Sequence, residues 1–357
     1  MHRMRSTIAG IGYYVPERIV TNQELEKWMD TSDEWIQERT GIQERRYGKP
    51  HKETTTTLGA LAAQKAIDHA GIQAEDIDFI IFATLSPDYY FPGCAVLLQR
   101  ELKITHKEVG ALDIRNQCSG FIYGLSIADQ FIRTGHYKNI LLVGAEMHSM
   151  GLDFSTTGRN VTVIFGDGAG AAVIQPAQEE GLGLLNTVLH ADGSFAEELA
   201  FINPGCHGGY HLKDQDFGYP DTPFGGLFLT EKMWQDKMYF PNMNGPLVFK
   251  MAVQKFPEVI LESLAKEQKT SNDIDMLIPH QANLRINQFV QKKLGLADHQ
   301  VWNNIQRYGN TTAATIPIAL AEACQAKAIK KGDLVCMAAF GSGFTWGAAL
   351  MNWSIDH

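Results

Sequence analysis

The sequence lacks the features that mark membrane, secreted and nucleic-acid-binding proteins. No apolar run in its 357 residues reaches the ~18 residues that a membrane-spanning helix needs. The apolar stretch near the N-terminus stops at Pro16, which is too early for a signal peptide. Positive charge is also scarce: 31 Lys and Arg stand against 40 Asp and Glu, a net charge of −9 that argues against binding nucleic-acid phosphates. We therefore expect a cytoplasmic protein with no membrane or nucleic-acid partner.

Cysteine is sparse, and its spacing argues against the usual structural uses of a thiol. The chain has five cysteines, an odd number, and no Cys-x-x-Cys pair, which disfavours a disulfide framework or a zinc ribbon. The loose cluster of Cys206, His207 and His211 is typical of incidental loop composition rather than of a metal site. The turn at 166–171 approximates a dinucleotide fingerprint without a clear ribose-binding acid about twenty positions later. We expect no metal and no nucleotide cofactor.

Short apolar runs alternate with amphipathic stretches along the chain. The runs 79–83, 140–144 and 161–165 are typical of buried strands. The stretches 58–70 and 121–134 predict helices, and each is followed by a glycine that favours a helix end. Because strands that are apolar on both faces must be covered by helices, the pattern predicts an α/β fold with largely parallel sheet.

The two parts of the chain resemble each other. Residues 75–81 (Glu-Asp-Ile-Asp-Phe-Ile-Ile) are echoed by residues 272–278 (Asn-Asp-Ile-Asp-Met-Leu-Ile), and the glycine turn at 165–169 is echoed at 340–344. Two matched pairs in the same order indicate a duplication. We therefore predict an N-terminal half over 1–178 and a C-terminal half over 179–357, with a functional site where the halves meet.

One segment, 207–243, breaks this pattern. It is rich in Gly, Pro and Asp, and an irregular segment of this length is usually a lid, a binding loop or an interface. Its aromatic content argues against a solvated linker; the aromatic residues include Tyr210, Phe217, Tyr219, Phe224, Phe228, Trp234, Tyr239 and Phe240.

Cys118 lies where a predicted strand turns into a predicted helix. An apolar run precedes it, and the helix over 121–134 follows almost at once. At a helix N-terminus the free N–H groups and the helix dipole favour a thiolate, which is a good nucleophile for thioester exchange. The competing interpretation, a small buried structural residue, suits most free cysteines.

Two further polar residues occupy positions that suit a site. His280 follows the apolar run 276–278, at the strand end where α/β proteins hold their sites, although many such histidines only bond to the backbone. Asn310 precedes a helix predicted over 313–328, so it is either a functional amide or an ordinary helix N-cap.

Taken together, these residues and their contexts resemble the β-ketoacyl-[acyl-carrier-protein] synthase III family of the thiolase-like condensing enzymes. The resemblance runs from about residue 7 to about residue 353 and implies a duplicated, five-layered α/β/α/β/α fold. Its markers are the strings at 30–36, 39–42, 164–172, 279–285, 309–311 and 339–347, together with the Cys118 turn.

The resemblance implies a catalytic triad of Cys118, His280 and Asn310. Cys118 would accept an acyl group from acyl-CoA, and backbone N–H groups of Cys118 and Ser342 would form the oxyanion hole. His280 and Asn310 would then stabilise the enolate formed when malonyl-acyl-carrier protein loses CO2. The product would be a β-ketoacyl-acyl-carrier protein, and the chemistry would need no cofactor.

The family also implies where the substrates bind. Coenzyme A and its pantetheine arm would contact Trp35, Arg39, Arg159 and Asn283, with the adenine stacked on Trp35. Acidic acyl carrier protein would bind a basic patch, for which a solvated helix face is the competing interpretation; the patch comprises Arg285, Lys292 and Lys293. Phe91 would reach across a homodimer to shape the acyl pocket.

Two departures from the family keep alternatives open. The residues before the nucleophile are Arg-Asn-Gln at 115–117, whereas the family has a small residue directly before the cysteine. The 207–243 segment is also longer than the family's loop, which leads us to expect a medium or long acyl donor. A specialised condensing enzyme of secondary metabolism, a non-condensing acyltransferase and an inactive partner of a condensing heterodimer are the alternatives. The complete triad argues against the last of these.

Overall fold

The computed structural model describes residues 4–105, 107–221 and 228–356. The strands among these residues range from two to nine residues in length; they are β1 (Ser6–Tyr14), β2 (Ile19–Thr21), β3 (Glu44–Arg46), β4 (Phe79–Ala83), β5 (Gly110–Ile114), β6 (Ile140–Glu146), β7 (Gly168–Pro176), β8 (Gly183–Ala191), β9 (Leu199–Ala200), β10 (Asn242–Met243), β11 (Met276–Pro279), β12 (Leu334–Gly341) and β13 (Thr345–Asn352).

The α-helices are shorter than 23 residues; they are α1 (Asn22–Leu25), α2 (Asp33–Thr40), α3 (Thr55–Ala70), α4 (Cys94–Glu101), α5 (Gly120–Arg133), α6 (Arg159–Thr162), α7 (Glu231–Gln235), α8 (Gly245–Lys266), α9 (Leu284–Leu294), α10 (Ile305–Tyr308) and α11 (Thr315–Gln325). In the described ranges, none of them is both long enough and apolar enough to cross a membrane.

Two sheets share one strand order. The first is β1-β7-β6-β4-β5, and the second, followed from its opposite edge, is β8-β13-β12-β11. Each sheet contains a parallel pair, β6 with β4 or β12 with β11, and an antiparallel strand pairs with β6 or β12 on the other side. The counterpart of β5 is reduced to a single parallel bridge between Leu277 and Val301. The predicted division at residue 178 falls in the link between β7 and β8.

The apolar clusters define five layers. Helices α5 and α11 share one core with the facing sides of both sheets, so they form the central layer. The outer side of the first sheet packs on α3 and α4, and the outer side of the second packs on α8 and α9. Burial of apolar faces on both sides of each sheet agrees with the sequence pattern. Helix α3 ends as predicted, at Gly71, whose φ of +68° suits glycine.

One predicted strand is wrong. The run 161–165 contributes its first residues to the short helix α6, and the rest is loop. Its backbone finds partners outside a sheet: the buried Arg45 guanidinium donates to the Val163 carbonyl, and the Asn310 N–H donates to the Ile164 carbonyl over 2.9 Å. The run is apolar because it packs in a separate core with α2 and lines a cavity, so its hydrophobicity resembled that of a buried strand.

The 207–243 segment forms a surface structure with a small core of its own, in which Phe217 and Met233 are buried. Lys237 pairs with Asp153 over 3.4 Å, and Phe228 packs on Tyr90 with a centroid distance of 5.6 Å. Residues 222–227, with Phe224 among them, lie outside the described residues. The C-terminal half of the segment therefore contacts two loops, those that carry Tyr90 and Asp153.

Candidate active site

A cavity of about 780 Å³ opens between the two halves. Its inner end is formed by Cys118, His280, Asn310 and Gly341, and its walls are mostly apolar. The other lining residues are Trp35, Arg39, Thr40, Asn160, Val163, Ile164, Phe165, Leu199, Met243, Asn244, Gly245, Pro246, Val248, Phe249, Ala252, Phe256, Ala282, Asn283, Arg285, Ile286 and Phe340. The structure thus brings the three predicted triad residues to one site from three separate parts of the chain.

Cys118 lies in a tight turn between β5 and α5, as predicted. The turn is a single 3-10 turn over Gln117–Ser119, and Gln117 has a φ of +41°, which non-glycine residues rarely adopt. The Ser119 hydroxyl lies 2.7 Å from that of Thr345 and ties the turn to the C-terminal half. This strained, anchored backbone fixes the direction of the Cys118 side chain, which is 7% exposed.

The expectation that the helix N-terminus favours a resting thiolate is wrong. Burial is the main cause that raises the pKa of Cys118 to about 12, and the nearby carboxyl of Glu146 acts in the same direction. The backbone N–H groups of Ser342 and of Cys118 itself act in the opposite direction without overcoming the loss of water. The resting nucleophile is therefore a thiol, which needs a base when it reacts.

The glycine turn after β12 approaches Cys118 very closely. A Cβ atom at Gly341 would lie 2.4 Å from the Cys118 Cβ atom and 2.6 Å from its Sγ atom. Only glycine fits at that distance. The next residue, Ser342, directs its backbone N–H to the sulfur, so the two predicted oxyanion-hole residues are adjacent in space.

His280 follows β11 directly and is almost completely buried. Its Nδ1 atom lies 2.6 Å from the Thr315 hydroxyl oxygen, which is also 3.0 Å from the Thr312 carbonyl oxygen. The single hydroxyl proton can go to either neighbour, so Thr315 can pair with either neutral tautomer of the ring. No described residue contacts Nε2 by a hydrogen bond. Burial lowers the pKa of His280 to about 3, so the ring is neutral.

Asn310 is not the N-cap of the helix that follows, because the 3-10 turn is capped by Thr311 and α11 by Ala314. Its Oδ1 atom accepts a hydrogen bond from the Thr312 N–H over 2.8 Å, two residues on. Its backbone is fixed by a parallel bridge to Phe165. Because Oδ1 is engaged, the amide presents Nδ2 to the cavity as a donor. The helix that follows begins later than predicted, at Thr315, after a 3-10 turn over Thr312–Ala314.

Two guanidinium groups flank the indole of Trp35 near the cavity mouth. The Cζ atom of Arg39 lies 4.5 Å from the indole ring centroid and that of Arg159 lies 5.2 Å from it. Arg39 lines the cavity; Arg159 is not among the lining residues and donates to the Asp30 carbonyl oxygen over 2.5 Å. Asn283 caps α9, and its Nδ2 atom donates to the Arg39 carbonyl oxygen over 2.9 Å. These residues form a continuous edge where a planar group could stack.

The remaining predicted residues lie farther from the cysteine. Arg285 is exposed at the cavity mouth, and Lys292 and Lys293 are exposed in the last turn of the same helix, α9. Phe91 is 80% exposed and does not line the cavity of its own chain. Among the described residues of the 207–243 segment, which leave out 222–227, only Met243 lines the cavity.

Sequence reasoning missed the apolar wall of the cavity. Phe249, Ala252 and Phe256 line the cavity from α8, at the spacing of one helix face. That spacing was a detectable signal, but a helix face can equally well pack in a core. Thr315, the partner of His280, gave no signal, because a threonine in a helix is unremarkable until its neighbours are known.

Comparisons with known proteins identify the family of this chain. Two family models match, "3-Oxoacyl-[acyl-carrier-protein (ACP)] synthase III" over residues 112–193 and its C-terminal counterpart over residues 264–353. The chain is 42% identical over 354 residues to the β-ketoacyl-[acyl-carrier-protein] synthase III of Caldanaerobacter subterraneus, covering 99% of each protein. It is 43% identical over 353 residues to that of Clostridioides difficile, covering 98% of this chain and 99% of the relative.

A solved structure shows the same fold. The 3-oxoacyl-[acyl-carrier-protein] synthase III of Aquifex aeolicus superposes with a TM-score of 0.84 at 41% identity, covering 98% of this chain and 100% of that one. The predicted thiolase-like α/β fold is therefore confirmed. At this identity and coverage, the chain belongs to the β-ketoacyl-[acyl-carrier-protein] synthase III family of condensing enzymes.

Proposed function

We propose that this enzyme transfers an acyl group from acyl-CoA to Cys118 and condenses it with malonyl-acyl-carrier protein. The products are CoA, CO2 and a β-ketoacyl-acyl-carrier protein that begins a fatty acid. The observation that carries this proposal is the meeting of Cys118, His280 and Asn310 at the inner end of one apolar cavity. An apolar cavity of about 780 Å³ suits a pantetheine arm, which delivers a thioester at its tip.

In the first step, the Cys118 sulfur attacks the acyl-CoA carbonyl while its proton passes to Nε2 of neutral His280. The carbonyl oxygen becomes an oxyanion that accepts hydrogen bonds from the N–H groups of Cys118 and Ser342. Each well-placed donor of this kind stabilises the transition state by about 3–4 kcal/mol. When the carbon–sulfur bond to CoA breaks, the CoA thiolate takes the proton back from His280, so the enzyme is left with a neutral ring.

In the second step, the carbon–carbon bond to the malonyl carboxylate breaks, and its electron pair forms an enolate as CO2 leaves. Nδ2 of Asn310 and Nε2–H of His280 donate to the enolate oxygen. The first step leaves the His280 ring proton on Nδ1, so between the two steps the ring exchanges protons with solvent and takes the tautomer in which Nε2 carries the proton and the Thr315 hydroxyl donates to Nδ1. The enolate carbon attacks the acyl-Cys118 carbonyl, and the released Cys118 thiolate takes a proton from solvent through His280. Because the lost carboxylate supplies the carbanion, the residues need no metal or redox cofactor.

Substrate binding is assigned to the cavity mouth. The indole of Trp35 and the guanidiniums of Arg39 and Arg159 suit the stacked, negatively charged nucleotide of CoA. Asn283 belongs to this edge and also lines the cavity, where it suits the amide groups of pantetheine. The acidic carrier protein then docks on the basic patch of α9; the patch comprises Arg285, Lys292 and Lys293.

The assembly and location are part of the same proposal. We propose a homodimer in the cytoplasm, in which Phe91 of each chain covers the acyl pocket of the other. Phe91 lies in a run of exposed aromatics with Tyr89 and Tyr90, and such an exposed apolar patch supports this role because it suits contact with another surface.

Intact-protein mass spectrometry tests the activity directly. The enzyme is incubated with acyl-CoAs from two to twelve carbons, with and without malonyl-acyl-carrier protein, and Cys118→Ala is the control. We expect an adduct that maps to Cys118 and discharges only when malonyl-acyl-carrier protein is added, with release of CO2. Discharge to water instead would indicate a non-condensing acyltransferase. A clear preference for acetyl-CoA over octanoyl-CoA would contradict the expected medium or long acyl donor.

A further inference from the structure

Two buried histidines hold the turn that carries Asn310. The turn, residues 310–315, contacts His280 through Thr315, as described above. It also contacts His148, whose Nε2 atom lies 2.7 Å from the Thr312 hydroxyl oxygen. His148 follows strand β6, is 7% exposed, and takes no part in the two proposed steps.

Thr312 has a conformation that needs support. Its φ of +48° lies in the left-handed region, where a β-branched residue is a genuine outlier. Such a conformation persists only when its surroundings fix it. In this conformation the Thr312 N–H donates to the Oδ1 atom of Asn310 over 2.8 Å, the bond that turns Nδ2 toward the cavity.

His148 also touches the other segment that holds Asn310. Its ring lies 4.7 Å from the ring of Phe165, centroid to centroid. Phe165 forms the parallel bridge to Asn310, and the neighbouring Gly166 N–H donates to the Asn310 carbonyl oxygen over 3.1 Å. One imidazole therefore contacts both segments between which the asparagine is held.

We propose that His148 is a positioning residue that orients the Asn310 amide through the Thr312 hydroxyl, and this inference rests on the proposed condensing activity. His148 is absent from the residues that line the cavity, so it acts through its neighbours rather than on the substrate. The hydrogen bond selects the left-handed Thr312 backbone, which sets the direction of the Thr312 N–H and, through Oδ1, that of Nδ2.

The two half-reactions separate this role from a general structural one. Acylation of Cys118 uses the oxyanion hole and His280, whereas the enolate of the second step also needs Nδ2 of Asn310. Loss of the His148 contact should therefore slow malonyl decarboxylation and leave acylation nearly unchanged. A misplacement of about 1 Å in a catalytic donor costs about 100-fold in rate, so we expect decarboxylation to fall between 10- and 100-fold.

Matched variants make the test specific. His148→Leu keeps an apolar side chain of similar size beside Phe165 but removes the hydrogen bond. His148→Gln restores a polar atom at the reach of Nε2, whereas His148→Asn restores one only at the reach of Nδ1. Thr312→Val removes the bond from the other side. If the two residues act as one unit, the double variant His148→Leu/Thr312→Val should be no slower than the slower single variant.

The measurement is a pair of rates on the full-length enzyme, acyl-Cys118 formation by intact mass and 14CO2 release from labelled malonyl-acyl-carrier protein, with thermal unfolding followed for each variant. We expect His148→Leu to slow only the release of CO2. His148→Gln should recover at least a third of the wild-type rate of CO2 release. The proposal is overturned if His148→Leu decarboxylates within twofold of the wild type, if both rates fall together, or if Gln and Asn rescue equally. A wild-type enzyme that acylates Cys118 without releasing CO2 would instead overturn the proposed function, and this inference with it.

Discussion

Substituting Gly341 by alanine tests the geometry of the nucleophile most sharply. The added Cβ atom would lie 2.4 Å from the Cys118 Cβ atom and 2.6 Å from Sγ. Carbon atoms in ordinary contact are about 3.5 Å apart, so one side of this contact must move by about 1 Å. Neither side is a flexible side-chain end, since Cys118 is in a strained turn and Gly341 ends a central strand.

We expect Gly341→Ala to lower both the stability of the folded protein and the rate of Cys118 acylation. Overpacking of this kind destabilises a core by about 1–3 kcal/mol, which a chain of this size survives as a folded protein with a lowered melting temperature. The rate should suffer more, because the shift displaces both the sulfur and the Ser342 N–H that faces it. Loss of one oxyanion donor alone costs about 100- to 1,000-fold, so we expect the acylation rate to fall by at least about 100-fold.

The assay is the single-turnover rate of Cys118 acylation by intact mass, with the melting temperature measured in parallel. Gly193→Ala is the matched control, because a Cβ atom there meets nothing within 4 Å. The control should acylate at the wild-type rate. An acylation rate for Gly341→Ala within threefold of the wild type would refute the reasoning, since the close approach of Gly341 to the sulfur would then not affect acylation.

Three further predictions concern the thiol and the two substrates. In a Cys206→Ala background, which removes the exposed thiol, alkylation of Cys118 by iodoacetamide should rise about tenfold per pH unit from pH 7 to 9, because burial raises the pKa of Cys118 to about 12; a plateau in that range would contradict the buried thiol. Trp35→Ala should raise KM for acyl-CoA about tenfold while leaving the rate with acyl-pantetheine unchanged, because the proposed binding mode places only the nucleotide on the indole; an equal loss with both donors would exclude stacking. Arg285→Glu should raise KM for malonyl-acyl-carrier protein and not for malonyl-CoA, and a matched change at the far end of α9, Lys293→Glu, should have the smaller effect; equal KM values for both variants and the wild type would remove this face from the docking surface.

Prediction from the sequence worked best where a short segment carries its own signal. The strand Phe79–Ala83 matches the apolar run residue for residue, and α3 ends at the glycine that marks it. The turn at Cys118 could be located because a strand pattern changes to a helix pattern within a few residues. The repeat could also be recognised without a structure, because the two halves keep similar strings at matching places. The two sheets of the structure share one strand order.

Prediction from the sequence failed where residues distant in sequence decide the secondary structure of a segment or the pKa of a side chain. The run 161–165 is hydrophobic because it packs beside α2 and a cavity, and periodicity alone cannot separate that from a strand. The sign of the Cys118 pKa shift depended on the balance between the helix N-terminus and burial, and burial prevails because residues distant in sequence exclude water from the sulfur.

The sequence by itself determined the family and the α/β class, and it predicted the duplication and the site residues Cys118, His280 and Asn310, because the motifs that carry them are local strings. Tertiary structure decided how those three groups are held. Thr315 beside His280, the His148 contact to Thr312 and the approach of Gly341 to Cys118 join residues separated by 35, 164 and more than 200 positions. Contacts over such separations follow from how two sheets and a central helical layer pack, and no local pattern records them.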